Sequence, residues 1–195
     1  MLLCSLLLCV DGFAQKGMNG LGAYGTLGTR KGNVWTGVGL KYQHNFSNHF
    51  RLESSFNYTL NNNAGEYVSH TARDGWADYY IATSEAYITR QAMFNAHFLL
   101  FSPRPIRPFI IVGVGALEWK SKYTIDGETE SDIRNLKDGG VAYDLGFGCD
   151  FRIGYHLTIE LEAMAVSQVF TRSISESFRR WEPSFKANIG LLYNF

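Results

Sequence analysis

Nine ionisable residues lie on the polar faces of segments whose opposite faces are apolar. They are Lys41, Arg51, Glu53, Asp144, Asp150, Arg152, Glu160, Glu162 and Lys186. Both signs of charge are present in similar number, and charged groups removed from water must be paired or coordinated. The set therefore predicts a mutually neutralised polar network. Such a network either fills an enclosed space and fixes its register, or opens and closes a narrow path through it.

Other motifs that could carry chemistry are weak. Cys4 and Cys9 lie in an apolar N-terminal segment, which leaves Cys149 without a disulfide partner or a cysteine metal cluster. The stretches "GVGA" and "GFGCDF" lie inside strand patterns and do not open a helix, so they fail the context test for phosphate binding. The acidic stretch "IDGETESD" is not the twelve-residue EF-hand pattern. We predict no metal site and no cofactor.

The elements that must position the charged residues alternate apolar and polar side chains at every second position, which is the signature of β-strands. Seven such segments span residues 34–42, 50–60, 90–101, 108–116, 141–152, 157–165 and 185–195. An eighth strand is predicted in 17–29, where glycines leave the facing of the side chains ambiguous. No segment has the pattern of a long helix.

The connections alternate in length. Short ones fall at 45–49, 102–107 and 153–156, a brief one at 29–33, and long ones at 61–84, 120–139 and 167–182. Alternate connections of an up-and-down barrel emerge at the same end. The sequence thus predicts an all-β, eight-stranded antiparallel up-and-down barrel, with tight turns and both termini at one end and extended loops at the other.

The apolar face of such a barrel can point to a core or to lipid. Many glycines and charges of both signs lie on the polar face, which suits the crowded interior of a small barrel. Tyr42, Tyr58, Tyr143, Tyr193 and Phe195 lie toward strand ends, where the aromatic girdles of membrane barrels sit. We predict a transmembrane barrel with its apolar face outward; the alternative is a soluble, exported lipocalin-type barrel.

Composition and the N-terminus agree with export to a membrane. Charged residues make up 18% of the 195 residues and aromatic residues 15%, and the net charge of zero does not favour nucleic acid as a partner. Residues 1–14 resemble a signal peptide that ends after Ala14, although no basic residue precedes its apolar run. The barrel domain is then residues 15–195.

The C-terminal stretch "ANIGLLYNF" resembles the C-terminal signature of Gram-negative outer-membrane barrels. Its alternating residues are Ile189, Leu191, Tyr193 and Phe195. With "PFIIVGVGA", "DLGFGCDF" and "FRLESSFNY", the chain resembles the OmpA-like and OmpX-like eight-stranded barrels over roughly residues 18–195, and its Ala-Gln signal end is similar to those of Bacteroidetes proteins. The resemblance implies location in the bacterial outer membrane, contact with its lipid and lipopolysaccharide, and recognition of the terminal strand by the barrel-assembly machinery.

Some barrels of this kind modify lipid A with serine and histidine residues. In this chain only His70, beside Ser69, lies in a long connection at the expected end, and the His-x-Ser pattern on a late strand is absent. We therefore predict no catalytic residues and no enzymatic activity.

The long connections are the candidate binding surfaces, because binding residues concentrate on loops. Their aromatic and cationic residues are Tyr67, Trp76, Tyr79, Tyr80, Arg179, Arg180 and Trp181. We predict a structural or surface-interaction role through these loops, with an unknown surface ligand. The alternatives are a small-solute pore and a lipid A-modifying enzyme.

Overall fold

The computed structural model describes residues 17–30, 33–61, 65–73, 76–101, 105–126, 131–170 and 184–195, and the side chains of 17–29, 34–60, 88–101, 105–120, 139–169 and 184–195. Nine antiparallel strands account for most of these residues. They are β1 (Asn19–Arg30), β2 (Asn33–Asn45), β3 (Phe50–Asn61), β4 (Gly65–Arg73), β5 (Trp76–Leu99), β6 (Ile106–Asp126), β7 (Ser131–Ile153), β8 (Leu157–Phe170) and β9 (Ser184–Asn194). The described part of the chain has no helix with the length and apolar character needed to cross a membrane.

Eight of the strands close into a barrel. The sheet runs in the order β3-β2-β1-β9-β8-β7-β6-β5-β4, and β3 also pairs with β5. The seam between β1 and β9 extends from Gly20 opposite Asn194 to Thr29 opposite Phe185. Asn19 and Phe195 add two backbone hydrogen bonds of 3.0 and 2.9 Å at its end. The predicted eight-stranded antiparallel barrel is confirmed.

The barrel is polar inside and apolar outside. Outward-facing side chains such as Val38, Phe94 and Ile189 are between 62 and 70% exposed, whereas most charged side chains of the same strands are buried. A soluble barrel would show the opposite arrangement, so the lipocalin-type interpretation is wrong. The ambiguous strand β1 follows the same rule, with Tyr24 and Thr26 facing inward and Leu21 and Leu27 facing outward.

Two of the predicted long loops are largely strand. Residues 65–73 form β4, which pairs with residues 76–84 of β5, and residues 120–126 and 131–139 continue β6 and β7 in register. A register shift between Ser84 and Ala86 separates residues 76–84 of β5, which pair with β4, from the rest of the strand, which belongs to the barrel. Backbone pairing thus continues beyond the barrel where the polar sequence indicated irregular loops. Most of the third predicted loop, 167–182, lies outside the described residues.

The opposite end of the barrel carries the short turns. Phe46 donates a backbone hydrogen bond of 3.1 Å to Phe50 across the β2–β3 turn. The β7–β8 turn places Gly154 at a φ of 75°, a left-handed conformation that glycine adopts without steric cost. We call this the turn end, and the end that bears β4 the hairpin end.

Close packing inside the barrel explains why the inward-facing position 148 is occupied by glycine. A Cβ atom on Gly148 would overlap the ring of Phe109, which is itself buried, and would lie 2.8 Å from the backbone oxygen of Leu161. Gly25 lies on the outer face, and no heavy atom lies within 4 Å of the corresponding position there. The same substitution at Gly148 and at Gly25 therefore compares a crowded inward position with an open outward one.

We expect Gly148→Val to lower the free energy of unfolding by about 1–3 kcal/mol, because overpacking forces neighbouring groups to move. Gly25→Val should change it by less than about 0.5 kcal/mol. Urea titration of the refolded protein in detergent micelles, followed by tryptophan fluorescence, measures both. Equal destabilisation by the two substitutions would contradict the inward assignment of Gly148.

Candidate functional site

The densest set of interacting polar groups in the described structure lies in the barrel lumen, toward the turn end. We call it the lumen cluster, and it consists of Lys41, Arg51, Glu53, His97, Arg107, Asp150, Glu160 and Glu162. Six strands contribute these residues. β2 and β3 face β7 and β8 across the lumen, with β5 and β6 on one side, because alternation turns every second side chain inward.

Lys41 is the centre of this cluster. Its Nζ contacts Glu160 at hydrogen-bonding distance, lies 3.0 Å from Glu162 Oε1, and lies 3.5 Å from Glu53 Oε2. The residue is only 2% exposed. A lysine so deeply buried requires anionic partners, and three carboxylates provide them.

Arg51 and Arg107 form the second part of the cluster. Arg51 donates to Asp150 Oδ2 at 3.0 Å and to Glu160 Oε2 at 2.9 Å, so it links two carboxylates of adjacent strands. Arg107 donates to the same Asp150 oxygen at 2.9 Å. The Arg51 guanidinium also lies over the ring of Phe109, with its Cζ 4.7 Å from the ring centre.

Three amide side chains donate to the remaining carboxylate oxygens. Gln43 donates to Glu53 at 2.8 Å, Asn95 donates to Glu53 at 2.9 Å, and Asn188 donates to Glu162 at 2.7 Å. These bonds fix the carboxylate orientations, because each oxygen then has a defined donor.

His97 is completely buried beside the cluster. Its Nδ1 accepts hydrogen bonds from Arg51, and its ring stacks on Phe109 with centroids 4.8 Å apart. Its Nε2 lies 3.9 Å from Glu53 Oε2, beyond hydrogen-bonding distance, and has no hydrogen-bond partner within the described residues. An arginine that donates to Nδ1 requires the lone pair there, so the ring is held neutral with its proton on Nε2.

The structure brings together six of the nine ionisable residues singled out in the sequence. Of the remaining three, Lys186 and Asp144 form their own buried pair at 2.6 Å. Arg152 is half-buried near the turn end, where its Nη2 donates to the carbonyl of Tyr155 at 3.2 Å. Two members of the cluster, Arg107 and His97, are absent from the predicted network. The sequence pattern places Arg107 in a turn and gives His97 no charged partner.

The lumen is not polar throughout. Leu99, Phe109, Ile111 and Met164 form one buried apolar cluster, and Met93, Leu117 and Ala142 form another against Trp119. These residues occupy inward positions that alternation alone would assign to polar side chains. The predicted polar network therefore shares the lumen with two apolar clusters.

The side chains of several predicted functional residues lie outside the described structure. Tyr67 lies in β4, and Trp76, Tyr79 and Tyr80 lie in β5, but their side chains are outside the described set. Arg179, Arg180 and Trp181, and the signal segment 1–14, are outside the described residues altogether. The residues of the predicted assembly signal, Ile189, Leu191, Tyr193 and Phe195, all lie exposed on the outer face.

Comparisons with known proteins identify the architecture. No family model matches the chain, and no curated protein matches its sequence. Among solved structures, Ail, the attachment invasion locus protein of Yersinia pestis, in complex with the heparin analogue sucrose octasulfate, superposes with a TM-score of 0.52 at 14% identity, covering 92% of this chain and 99% of Ail. A major outer membrane protein of Thermus thermophilus gives a TM-score of 0.56 at 10% identity, with 91% and 99% covered.

This chain has the fold of the outer-membrane β-barrels. Both similar structures are covered almost completely, so the likeness extends over the barrel and is not confined to a few strands. At these identities the likeness defines the fold and carries no activity from one protein to the other. The lumen cluster must therefore be understood from its own geometry.

Glu160→Gln tests how much the lumen cluster stabilises the barrel. We expect the free energy of unfolding to fall by about 3–5 kcal/mol, because Lys41 and Arg51 would each lose a buried anionic partner. The matched control is Glu118→Gln, because Glu118 lies 3.5 Å from the exposed Arg90; its effect should be at most about 1 kcal/mol. Urea titration measures both, and equal losses would contradict the central position of Glu160.

Proposed function

We propose that this protein resides in the bacterial outer membrane, where its barrel anchors a projecting β-hairpin that makes contacts at the cell surface. The residence rests on the continuous exposed apolar outer face, which suits lipid and is unfavourable in water. The proposal includes export by residues 1–14 and recognition of the terminal strand during assembly. It assigns no enzymatic activity to the chain.

The observation that carries the surface role is the open edge of β4. Among the described strands, Gly65–Arg73 pairs with β5 alone, so its other edge presents unpaired backbone groups. Nine residues of strand offer about 30 Å of such an edge. Strands of this kind accept an extended segment of another chain through backbone hydrogen bonds.

The length of β5 supports the position of this edge outside the membrane. The strand has 24 residues, whereas about 9–11 suffice to cross the hydrocarbon region. Residues 76–84 extend beyond the last pairing of β5 with β3, which joins Tyr87 to Asn61. The hairpin therefore projects past the barrel, and the predicted aromatic residues Tyr67, Trp76, Tyr79 and Tyr80 belong to it.

A second class of ligand is a sulfated or phosphorylated polysaccharide. The predicted loop at 167–182 contains Arg172, Arg179 and Arg180, and arginine binds such anions well. Ail was crystallised with a heparin analogue, which makes heparin a suitable probe here. This surface and the β4 edge can be separated by experiment.

Replacing residues 62–86 with an Asn-Gly turn tests the projecting hairpin. The barrel should still fold, because Leu60 and Ile88 remain paired, and the unboiled band on an SDS gel should still differ in migration from the boiled band. We expect immobilised reduced and carboxymethylated α-lactalbumin, an unfolded chain, to bind the wild type at least about tenfold more tightly than the shortened variant.

Immobilised heparin serves as the second probe in the same surface plasmon resonance experiment. Heparin binding that survives the deletion would assign polysaccharide recognition to another part of the surface. An epitope inserted between Arg73 and Trp76 should be labelled on intact cells, whereas one inserted after Gly154 should need permeabilised cells. Equal binding of the unfolded chain by both proteins, or the reverse labelling, would contradict the proposed surface role.

The pore alternative makes a different prediction. Lys41, Arg51 and Glu160 are at most 2% exposed, which favours a lumen filled by side chains over an open water path at this level. We therefore expect the wild-type protein to produce no discrete conductance steps in planar lipid bilayers. Reproducible steps that disappear when the protein is heat-denatured before addition would favour the small-solute pore.

A further inference from the structure

Lys41 lies in a cage of carboxylate oxygens that resembles a cation-binding site. Oxygens of Glu53, Glu160 and Glu162 surround its Nζ, and these carboxylates together with His97 can each bring one ligand atom within 4.8 Å of all the others. All four side chains are buried. Carboxylate oxygens and an imidazole nitrogen so closely grouped are the donors that divalent metals such as Mn²⁺ use.

His97 gives a second, independent indication of a ligand position. It is 0% exposed, and its Nε2 points toward Glu53 without reaching it. Buried ring nitrogens normally have a partner. The gap of 3.9 Å between Nε2 and the carboxylate oxygen is wider than the roughly 3.3 Å between two tetrahedral ligands of one metal ion, so the two groups would move together by about half an ångström on binding a metal.

Buried carboxyl groups outnumber buried lysine and arginine side chains in the lumen cluster. Four carboxylates, from Glu53, Asp150, Glu160 and Glu162, face three cations, from Lys41, Arg51 and Arg107. His97 adds no positive charge while Arg51 donates to its Nδ1. A divalent ion in place of the ammonium group would balance the four carboxylates together with the two arginines.

We propose that the cage of Glu53, His97, Glu160 and Glu162 is a cation-binding site. The ammonium group of Lys41 occupies it in the native chain, and shortening that side chain opens the site to one divalent metal ion. Coordination by His97 needs the Nε2 lone pair, so the ring proton moves to Nδ1. Arg51 then turns from the ring toward Asp150 and Glu160, to which it already donates.

Lys41→Met tests this proposal, with Lys186→Met as the matched control. Both substitutions remove a buried lysine, but in the described structure Lys186 contacts a single carboxylate, that of Asp144. Each protein is refolded into detergent micelles with and without MnCl₂, and folding is checked by heat-modifiability. The amplitude of the free Mn²⁺ signal in electron paramagnetic resonance then gives the number of ions bound per chain.

We expect one Mn²⁺ per chain for K41M and none for the wild type or K186M. At a free metal concentration 100 times the dissociation constant, the folding equilibrium constant of K41M should rise about 100-fold. Adding Glu162→Gln or His97→Gln to K41M should weaken Mn²⁺ binding about tenfold or more. Binding that is unaffected by both second substitutions would place the ion elsewhere and overturn the proposal.

Two further outcomes decide the remaining cases. Folding of K41M only when Mn²⁺ is present would support the site, because the metal would then replace the missing ammonium charge. Lys41→Ala serves as a second truncation that leaves more space. The proposal is wrong if neither variant folds or binds Mn²⁺ in its presence, or if the wild type binds the ion equally well.

Discussion

The constraint on which the whole structure depends is that a backbone surrounded by hydrocarbon must satisfy all of its polar groups internally. The seam between β1 and β9 meets this requirement where the sheet would otherwise have two open edges. It is continuous in register from Gly20 to Thr29, and Asn19 and Phe195 extend it further. The strict alternation of β9 follows from the same constraint, because a shift of one residue would turn its apolar residues into the lumen and Lys186 toward lipid.

Because only eight strands close the barrel, its interior is narrow, and the side chains inside it must contact one another. The space is just wide enough for side chains, so charged residues there must find each other or remain unpaired at high cost. The cluster around Lys41 and Glu160 meets this condition through ion pairs and amide donors. The apolar groups near Phe109 and Met93 fill the space beside the charged residues, and the ring of Phe109 itself lies against the Arg51 guanidinium. Glycines such as Gly148 provide the volume that these larger side chains occupy.

Much of this could be predicted from the sequence, because period-two alternation depends only on neighbouring residues. The barrel strands, their closure and the outward apolar face follow from it. Contacts between the inward side chains do not. The position of Arg107 beside Asp150 on the neighbouring strand depends on strand register, and on a strand that begins directly after Pro105, where prolines disrupt the pattern. The strand β4 was missed for a related reason: Tyr67 and Val68 are adjacent, so its sequence carries no period-two hydrophobic signal.

The connectivity of the lumen cluster has a consequence for the rate at which the protein unfolds. Lys41 and Glu160 are 119 residues apart, and Arg51 and Glu160 are 109 apart. Bringing such distant positions together has a large loop-closure cost, so we expect these contacts to form late in folding. Interactions that are absent from the transition state slow the reverse reaction without speeding the forward one. We therefore expect the cluster to prolong the lifetime of the folded barrel more than it affects the speed of folding.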